Sequence, residues 1–218
     1  MTSYFVTGTG TGVGKTYVTA GIVRGAAELG VRFGAVKPLL SGYDPAAAAG
    51  SDPAVLLEAM GKRVTRRAIA AISPFRFAAP LAPDMAAARE GRRVDFEALV
   101  AFSHAAMEAA PVLIEGVGGV AVPLDGARLV ADWIAELRLP ALLVAGTYLG
   151  TLSHTITAVE SLEVRGVAVA GIVLSESVDQ PVPAEEVAAK LRELLPYPVH
   201  VIPRDLNDRS FRELAGSL

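Results

Sequence analysis

A glycine-rich turn directly after a short apolar run is the feature that most constrains this 218-residue chain. Residues 8–16 have the sequence GTGTGVGKT, and they follow the β-like segment SYFVT at 3–7. A strand, a glycine-rich turn ending in Gly-Lys-Thr and a following helix form a phosphate-binding loop, in which backbone N–H groups and the positive end of the helix face phosphate oxygens. We therefore predict that the chain binds a nucleoside triphosphate, with Lys15 on the outer phosphates and Thr16 as a magnesium ligand.

The loop differs from the usual spacing by one residue. Counting back from Gly14, the usual pattern puts its first glycine at position 9, which holds Thr9, so Gly8 comes one residue too early. A dinucleotide-binding pattern also fails, because Val13 and Lys15 stand where a third glycine is required. The segment is therefore interpreted as a lengthened phosphate loop. The alternative, a merely flexible glycine turn, is disfavoured by the strand and helix that flank it.

Composition limits the class of protein. No apolar run approaches the roughly 20 residues of a membrane span, and the N-terminus lacks a signal-peptide pattern. The chain has no cysteine, which excludes a disulfide framework and a thiolate metal site. The net charge of −3 and the pI of about 5.7 give no indication of a nucleic-acid surface. We expect one domain over residues 1–218, located in the cytoplasm, that binds neither nucleic acid nor a membrane.

Apolar runs alternate with helix-like segments along the whole chain. The predicted strands are Tyr4–Thr7, Phe33–Lys37, Val112–Glu115, Ala141–Ala145, Val167–Leu174 and Val199–Ile202, with a further one at Ala68–Ile72. The predicted helices are Lys15–Leu29, Phe96–Ala110, Val130–Leu137, Ser153–Glu163 and Pro183–Leu195, with a short Ala-rich loop or turn at Ala46–Ala49 and a non-helical connection at Phe75–Asp84. Most of these strands lack apolar–polar alternation, as expected for parallel strands buried on both faces. We predict a doubly wound, mostly parallel α/β sheet of about seven strands with helices on both faces, like that of P-loop NTPases.

Functional side chains follow several predicted strands at their carboxyl ends, where open α/β sheets bind ligands. Lys37 ends the second predicted strand, and its alternative interpretation is an ordinary surface lysine. Only four of the 20 basic residues are lysine and the rest are arginine. We interpret Lys15 and Lys37 as positions that need a compact ammonium between phosphate oxygens, whereas Lys62 and Lys190 are interpreted as solvated charges.

Two acidic residues are candidates for the magnesium site. Glu115 follows a predicted strand, and Mg²⁺ prefers carboxylate oxygen together with hydroxyl and phosphate oxygen. Its alternative is a structural carboxylate bonded to amides of the neighbouring glycine loop. Asp52 is a second candidate, and its alternative is a helix N-cap, because it precedes a proline. The three histidines lack ligand spacing and are interpreted as structural; they are His104, His154 and His200.

Several separate motifs resemble those of the dethiobiotin synthetase family in their order and spacing. They are the phosphate loop at 7–16, Lys37–Gly42, Glu115–Leu124, Ala131–Trp133 and the segment 139–154. Together they cover nearly the whole chain, and a lengthened phosphate loop is a trait of that family. The resemblance implies a homodimeric ligase that uses ATP and Mg²⁺ to close 7,8-diaminononanoate and CO₂ into dethiobiotin, in biotin biosynthesis.

The resemblance also implies roles for particular residues. The implied catalytic residues are Lys15, Lys37 and two hydroxyls suited to holding a carbamate, Thr11 and Ser41. The implied nucleotide-binding residues are Gly12, Val13, Gly14, Lys15, Thr16, Tyr17, Ser175 and Pro203. The implied substrate-binding residues are Ser41 and Gly118, with a helix N-terminus at a two-fold interface for the distal carboxylate, formed by Gly150, Thr151, Leu152 and Ser153. The implied metal ligands are Thr16, Asp52 and Glu115.

The chain also departs from that family, and other functions stay open. Gly10 and Gly12 stand where members often have acidic residues, and Ser175 stands where an adenine-binding asparagine is common. We therefore expect loose base selectivity, with backbone groups at 203–206 as the alternative contact to the base. One other function is a partitioning-type ATPase switch, which is disfavoured because Gly10 replaces its second lysine and no basic surface or amphipathic anchor is evident. Another is a related amidating or small-molecule kinase enzyme of the same fold.

Overall fold

Parallel strands form the centre of the molecule. The computed structural model describes residues 2–204 and 208–218. Its strands are β1 (Tyr4–Gly8), β2 (Gly34–Val36), β3 (Leu39–Ser41), β4 (Phe75–Phe77), β5 (Val112–Glu115), β6 (Ala141–Ala145), β7 (Val169–Ser175) and β8 (Val199–Ile202). Six of them make one sheet in the order β2-β5-β1-β6-β7-β8, and every neighbouring pair is parallel. Strands β3 and β4 form a separate parallel pair.

Helices connect these strands. Within the described residues they are α1 (Lys15–Glu28), α2 (Asp52–Ala59), α3 (Arg66–Ile72), α4 (Pro83–Arg89), α5 (Phe96–Ala109), α6 (Val130–Leu137), α7 (Thr151–Glu163), α8 (Ala184–Leu194) and α9 (Asp208–Gly216), with a short 3₁₀ turn at Ala48–Gly50. None of these helices combines the length and the apolarity that crossing a bilayer requires. The predicted α/β class with a mostly parallel sheet is confirmed.

Some predicted elements are wrong. The segment Ala68–Ile72 is part of helix α3, because the Thr65 hydroxyl accepts a hydrogen bond from the Ala68 N–H and starts a helical turn. The main sheet therefore has six strands rather than about seven. The connection predicted at Phe75–Asp84 contains strand β4 and the start of α4. Helices α2, α4 and α9 were not predicted.

The core forms around strand β1, all five residues of which are buried. Phe5 packs edge-to-face against Trp133 of α6, with ring centroids 4.7 Å apart. The Trp133 indole N–H donates to the Ser103 hydroxyl at 3.2 Å. Asp132 accepts a hydrogen bond from the Leu129 N–H at the start of α6. The segment Ala131–Trp133, one of the motifs that carry the resemblance, thus has a structural role.

The register of the sheet brings the carboxyl ends of several strands to one edge. Val6 of β1 lies beside Glu115 of β5, and Gly8 lies beside Val144 of β6. The turn that follows β1 therefore leaves the middle of the sheet, with the ends of β5 and β6 on its two sides. This is the edge at which open α/β sheets bind ligands.

Candidate functional site

The phosphate loop wraps around the N-terminus of α1. Gly12 and Gly14 have φ of 76° and 96°, a conformation that L-residues other than glycine rarely adopt. A Cβ at Gly14 would also lie 2.5 Å from the Ser175 hydroxyl, so the loop passes close against the end of β7. The Lys15 side chain is buried, and its ammonium donates to the Gly10 carbonyl at 2.7 Å. The loop thus encloses a positive charge where the helix presents its own positive end.

The pKa of the Lys15 ammonium is lower than that of an ordinary lysine. Burial, and after it the charge of the neighbouring Lys37, lower its pKa to about 8, because Glu115 and Asp52 offset only part of the shift. A charged ammonium in this position is therefore poorly compensated by the protein itself. An anionic ligand on the loop would supply the missing negative charge.

Lys37 lies at the centre of a buried ionic cluster. Its ammonium is 2.6 Å from Glu115 Oε1 and 2.8 Å from Asp52 Oδ2. Burial lowers the pKa of Lys37, but these two carboxylates outweigh it and the net shift is upward. Burial raises the pKa of Asp52, but the attraction and hydrogen bond of Lys37, together with smaller contributions from Thr16 and Lys15, outweigh it and the net shift is downward. Lys37 is 3% exposed, so the interpretation as a surface lysine is wrong.

The three predicted metal ligands lie together beside this cluster. Glu115 is fully buried, and its Oε1 accepts a hydrogen bond from the Thr16 hydroxyl at 2.6 Å. Its Oε2 has no hydrogen-bond partner within the described part of the chain, which is unfavourable for a buried carboxylate. Asp52 lies in the first turn of α2, where Ser51 is the N-cap, so the N-cap alternative is wrong. This set of hard oxygen donors with an unpartnered buried oxygen fits Mg²⁺.

The protein side chains alone do not form a full metal cage. Among residues 2–204 and 208–218 no group of three or more histidines, cysteines, aspartates or glutamates could hold an ion. Mg²⁺ commonly takes only one or two carboxylates from the protein and completes its coordination with phosphate and water. The arrangement is therefore that of a site shared with a phosphate ligand.

A cavity of about 590 Å³ opens above the loop and the ionic cluster. Its polar lining includes Thr11, Lys15, Thr16, Lys37, Ser41, Asp52 and the backbone of Gly118. Its apolar lining, called the apolar wall below, includes Leu40, Pro80, Leu81, Pro83, Val117 and Val122. The apolar wall was not predicted. The nearest sequence signal was the pair of prolines, Pro80 and Pro83, in the segment predicted as a non-helical connection.

A second cavity of about 440 Å³ adjoins the first. It shares with the first the glycines of the loop, Gly12 and Gly14, and the side chain of Tyr17. The rest of its lining was partly predicted and comprises Val13, Ser175, Glu176, Ser177, Val178 and Arg204. The Tyr17 hydroxyl donates to the Pro203 carbonyl at 3.2 Å, which brings Pro203 to the same region. The predicted backbone contacts at 205–206 lie outside the described residues.

The predicted tail-binding residues lie apart from these cavities. Gly150 has φ of 97° and precedes α7, and neither cavity includes it or residues 151–153 in its lining. The Thr151 hydroxyl is buried and donates to the Gly146 carbonyl at 2.6 Å, so it is directed into the protein. Leu149 beside them is 85% exposed. Within one chain, this helix end is therefore a separate exposed surface.

Solved structures share the fold. The cell division ATPase MinD of Pyrococcus furiosus matches with a TM-score of 0.56 at 15% identity, covering 100% of this chain and 98% of that one. Cobyrinic acid a,c-diamide synthase of Mycobacterium smegmatis, solved with an ATP analog and magnesium, matches with a TM-score of 0.55 at 17% identity, covering 99% and 93%. These likenesses include both a cell division ATPase and a diamide synthase, so the fold alone does not decide between the alternatives.

Comparison with sequence relatives distinguishes between these alternative functions. A family model described as an AAA domain matches residues 2–204. The chain is 48% identical to the ATP-dependent dethiobiotin synthetase BioD of Acidiphilium cryptum over 207 residues, covering 92% of this chain and 93% of the relative. It is 48% identical to the protein of that name from Methylobacterium nodulans over 196 residues, covering 86% and 87%. With this similarity along nearly its full length, the chain belongs to the ATP-dependent dethiobiotin synthetase family.

Proposed function

We propose that this chain closes the ureido ring of dethiobiotin from 7,8-diaminononanoate and CO₂ at the expense of ATP, a step of biotin biosynthesis. The observation that carries the proposal is the composition of the larger cavity. Its polar lining includes the phosphate loop, Lys37 and Asp52, and its apolar lining offers a surface against which an alkyl chain can pack. Each methylene that leaves water there contributes about 0.8 kcal/mol to binding.

The proposed reaction has three steps. One amine of the substrate attacks CO₂, loses a proton and becomes a carbamate. A carbamate oxygen attacks the γ-phosphorus and ADP leaves, which gives a carbamoyl phosphate. The second amine attacks the carbamoyl carbon, loses a proton and expels phosphate, and the ring closes. The middle step brings two anions together, so it needs preorganised positive charge between them.

The residues of the cavity can supply what that step requires. Lys15 and Lys37 place two buried ammonium groups at the end of the phosphate loop. Thr11 and Ser41 line the same cavity and offer hydroxyls that can donate to a carbamate oxygen. Because water is largely excluded around both lysines, their charges act more strongly than they would at the surface.

Magnesium fits the acidic corner of the site. Thr16, Asp52 and Glu115 would hold it, and bound there it would neutralise phosphate charge. The contact of Lys37 with two of these residues means that lysine and metal would share the same carboxylates. The oxygen of Glu115 that has no partner is the group that the metal would satisfy.

A coupled assay tests the proposed function. ADP release is measured with ATP and Mg²⁺, with and without the diamine and bicarbonate, and dethiobiotin is detected by mass spectrometry. We expect ADP release to depend on both added substrates and to match dethiobiotin in amount. ADP release that needs the diamine but no bicarbonate would indicate a kinase instead, and release stimulated by neither would indicate an ATPase switch.

The metal requirement should depend on Glu115. We expect Glu115→Gln to raise the Mg²⁺ concentration for half-maximal activity about tenfold or more, because a neutral amide is a poorer ligand for a hard cation. Asp52→Asn should have a smaller effect, since the Asp52 side chain is 40% exposed and Glu115 is buried. Activity is measured across a Mg²⁺ titration at saturating ATP.

Glu97→Gln is the matched control for this titration. Glu97 is an exposed carboxylate that pairs with Arg128 at the surface and lines neither cavity. Its titration should superimpose on that of the unmodified protein. An unchanged titration for Glu115→Gln, together with an impaired Asp52→Asn, would assign the main metal ligand to Asp52.

The family resemblance and the exposed end of α7 lead us to propose a homodimer whose two-fold interface holds the substrate tail. We expect Gly150→Leu to raise KM for the diamine about tenfold or more, because a side chain would block the backbone groups offered there. KM for ATP should change less than about twofold. Both are measured by steady-state kinetics, and sedimentation should show a dimer at micromolar concentration.

Gly166→Leu controls for backbone strain. Gly166 lies just beyond the other end of α7, has φ of 68° and has open space around it, so the strain is comparable and the place is different. It should leave KM for the diamine unchanged. A fully active monomer, or an equal rise in KM for both variants, would contradict a tail site at this helix end.

Base selectivity should be loose. Binding through the phosphate loop discriminates no base, and Ser175 is too short to present a carbonyl and an amide together, as asparagine does. We expect CTP, GTP and UTP to support turnover within about tenfold of ATP, which corresponds to about 1.4 kcal/mol or less. The kcat/KM values of the four triphosphates decide this point. A preference for ATP of more than a hundredfold would show that other groups recognise adenine.

A further inference from the structure

Tyr17 lies at the boundary between the two cavities. It belongs to the first turn of α1, directly after the phosphate loop. Its side chain lines the larger cavity beside Lys15 and Thr16, and it also lines the smaller cavity beside Ser175. A nucleotide whose phosphates lie on the loop therefore has to place its sugar or base next to this ring.

The ring of Tyr17 is held by two other parts of the chain. Its hydroxyl donates to the Pro203 carbonyl, just after β8, at 3.2 Å. The ring itself meets Phe211 of α9 edge-to-face, with centroids 5.2 Å apart and an angle of 74° between the planes. Such an aromatic pair has a preferred geometry, unlike a contact between aliphatic side chains. The orientation of the Tyr17 ring is therefore fixed before any ligand binds.

Two glycines on one face of helix α1 leave the space that Phe211 fills. Gly21 and Gly25 are one turn apart and lie on the same face of α1. A Cβ at Gly21 would lie 2.2 Å from the Phe211 ring, and one at Gly25 would lie 2.7 Å from the Phe211 backbone. Glycine inside a helix is less favourable than alanine, so two of them on one face indicate a needed close approach. Phe211 fills this position and is 3% exposed.

We infer that Tyr17 is the aromatic platform against which the nucleoside of the triphosphate packs, and that Phe211 is a positioning residue that holds this platform. The inference deepens the proposed function and rests on it, since it assumes that a triphosphate binds the loop. A stacking platform accepts every base, because each base has a π-face. Together with the short side chain of Ser175, it accounts physically for loose base selectivity.

The test compares a ligand that has a nucleoside with one that lacks it. The dissociation constants of ATP and of inorganic tripolyphosphate are measured by calorimetry for the unmodified protein, Tyr17→Leu and Tyr17→Phe. We expect Tyr17→Leu to weaken ATP binding about tenfold or more and tripolyphosphate binding less than about twofold. Tyr17→Phe keeps the ring and removes the hydroxyl that donates to the Pro203 carbonyl, so its ATP affinity should stay within about threefold of the unmodified protein.

Tyr197→Leu is the matched control. Tyr197 is also half-buried and also donates its hydroxyl, to Glu163 at 2.5 Å, but it lines neither cavity. Both affinities should stay unchanged. Equal losses for ATP and tripolyphosphate in Tyr17→Leu, or no loss for ATP, would overturn the inference and leave the proposed function standing. Failure of the unmodified protein to bind either ligand would overturn the proposed function and the inference together.

The role of Phe211 needs a double-mutant comparison. Phe211→Leu keeps an apolar side chain between the helices and removes the edge-to-face contact. We expect it to lower ATP affinity relative to tripolyphosphate about threefold in the unmodified background and not at all in the Tyr17→Leu background. An equal effect on both ligands, or the same loss in both backgrounds, would show a general structural role and overturn the positioning role.

Discussion

Lys37→Gln is expected to lower kcat by about a hundredfold or more while ATP still binds. The substitution removes a buried charge that would stand between the carbamate and the transferred phosphoryl group, and one such group typically contributes a factor of 10²–10³, about 2.7–4 kcal/mol. Loss of the ammonium also leaves Glu115 without its cation, so the free energy of unfolding should fall by roughly 3–5 kcal/mol. Kinetics at saturating substrates, thermal unfolding and ATP binding are measured on the same preparation.

The controls for Lys37→Gln separate catalysis from folding. Lys62→Gln changes an exposed lysine outside both cavities and should behave like the unmodified protein. ATP affinity within about tenfold shows that the Lys37→Gln variant is folded and retains its phosphate loop. A variant that keeps full turnover would remove Lys37 from the catalytic residues and leave it a structural partner of Asp52 and Glu115.

Local sequence signals predicted the elements that carry the phosphate loop. Strand β1, the glycine-rich turn and α1 are consecutive in the chain, so their arrangement follows from residues 3–29 alone. The buried strands β5 and β6 were also predicted with correct bounds, because β6 is an unbroken apolar run and β5 is such a run ending in Glu115. Parallel pairing then placed Glu115 at the same edge as the loop.

Short elements were harder to predict because their signals are weak. Strands β3 and β4 have three residues each, and they stabilise each other outside the main sheet. The apolar residues Ile69 and Ile72 fit a strand as well as a helix, and the cap supplied by Thr65 decides for the helix. Helix α9 packs through Phe211 against the glycines of α1, which are distant in sequence, so no local signal predicts this contact.

In the candidate site, too, contacts between residues distant in sequence were not predicted. Each of Lys37, Asp52 and Glu115 was predicted as a functional residue from its place after a strand or turn. Their mutual contact was not predicted, because it depends on distances of 2.6–2.8 Å between residues up to 78 positions apart. The apolar wall and Glu176 were missed because their residue types are common and only the cavity distinguishes them.

Lys15→Gln is expected to reduce kcat/KM for ATP by about a hundredfold or more, and to weaken ATP binding as well. Glutamine is neutral and one bond shorter, so the substitution removes the charge that donates to the Gly10 carbonyl. Binding should suffer here, unlike in Lys37→Gln, because Lys15 is enclosed by the loop itself and its charge is poorly compensated without an anion. ATP and tripolyphosphate affinities should fall together, since both ligands lose the same contact.

Lys15→Arg completes this test because it keeps the charge and changes the shape. The Lys15 side chain packs against Gly8, where a Cβ would already lie 3.2 Å from Lys15 Cδ, so a planar guanidinium has no room to take the same path. We expect Lys15→Arg to lose at least about tenfold in kcat/KM, and Lys190→Gln, at an exposed position, to lose nothing. Steady-state kinetics and calorimetry measure both. If Lys15→Gln keeps more than a tenth of the activity, the triphosphate does not depend on this charge, and the assignment of Lys15 to the outer phosphates is wrong.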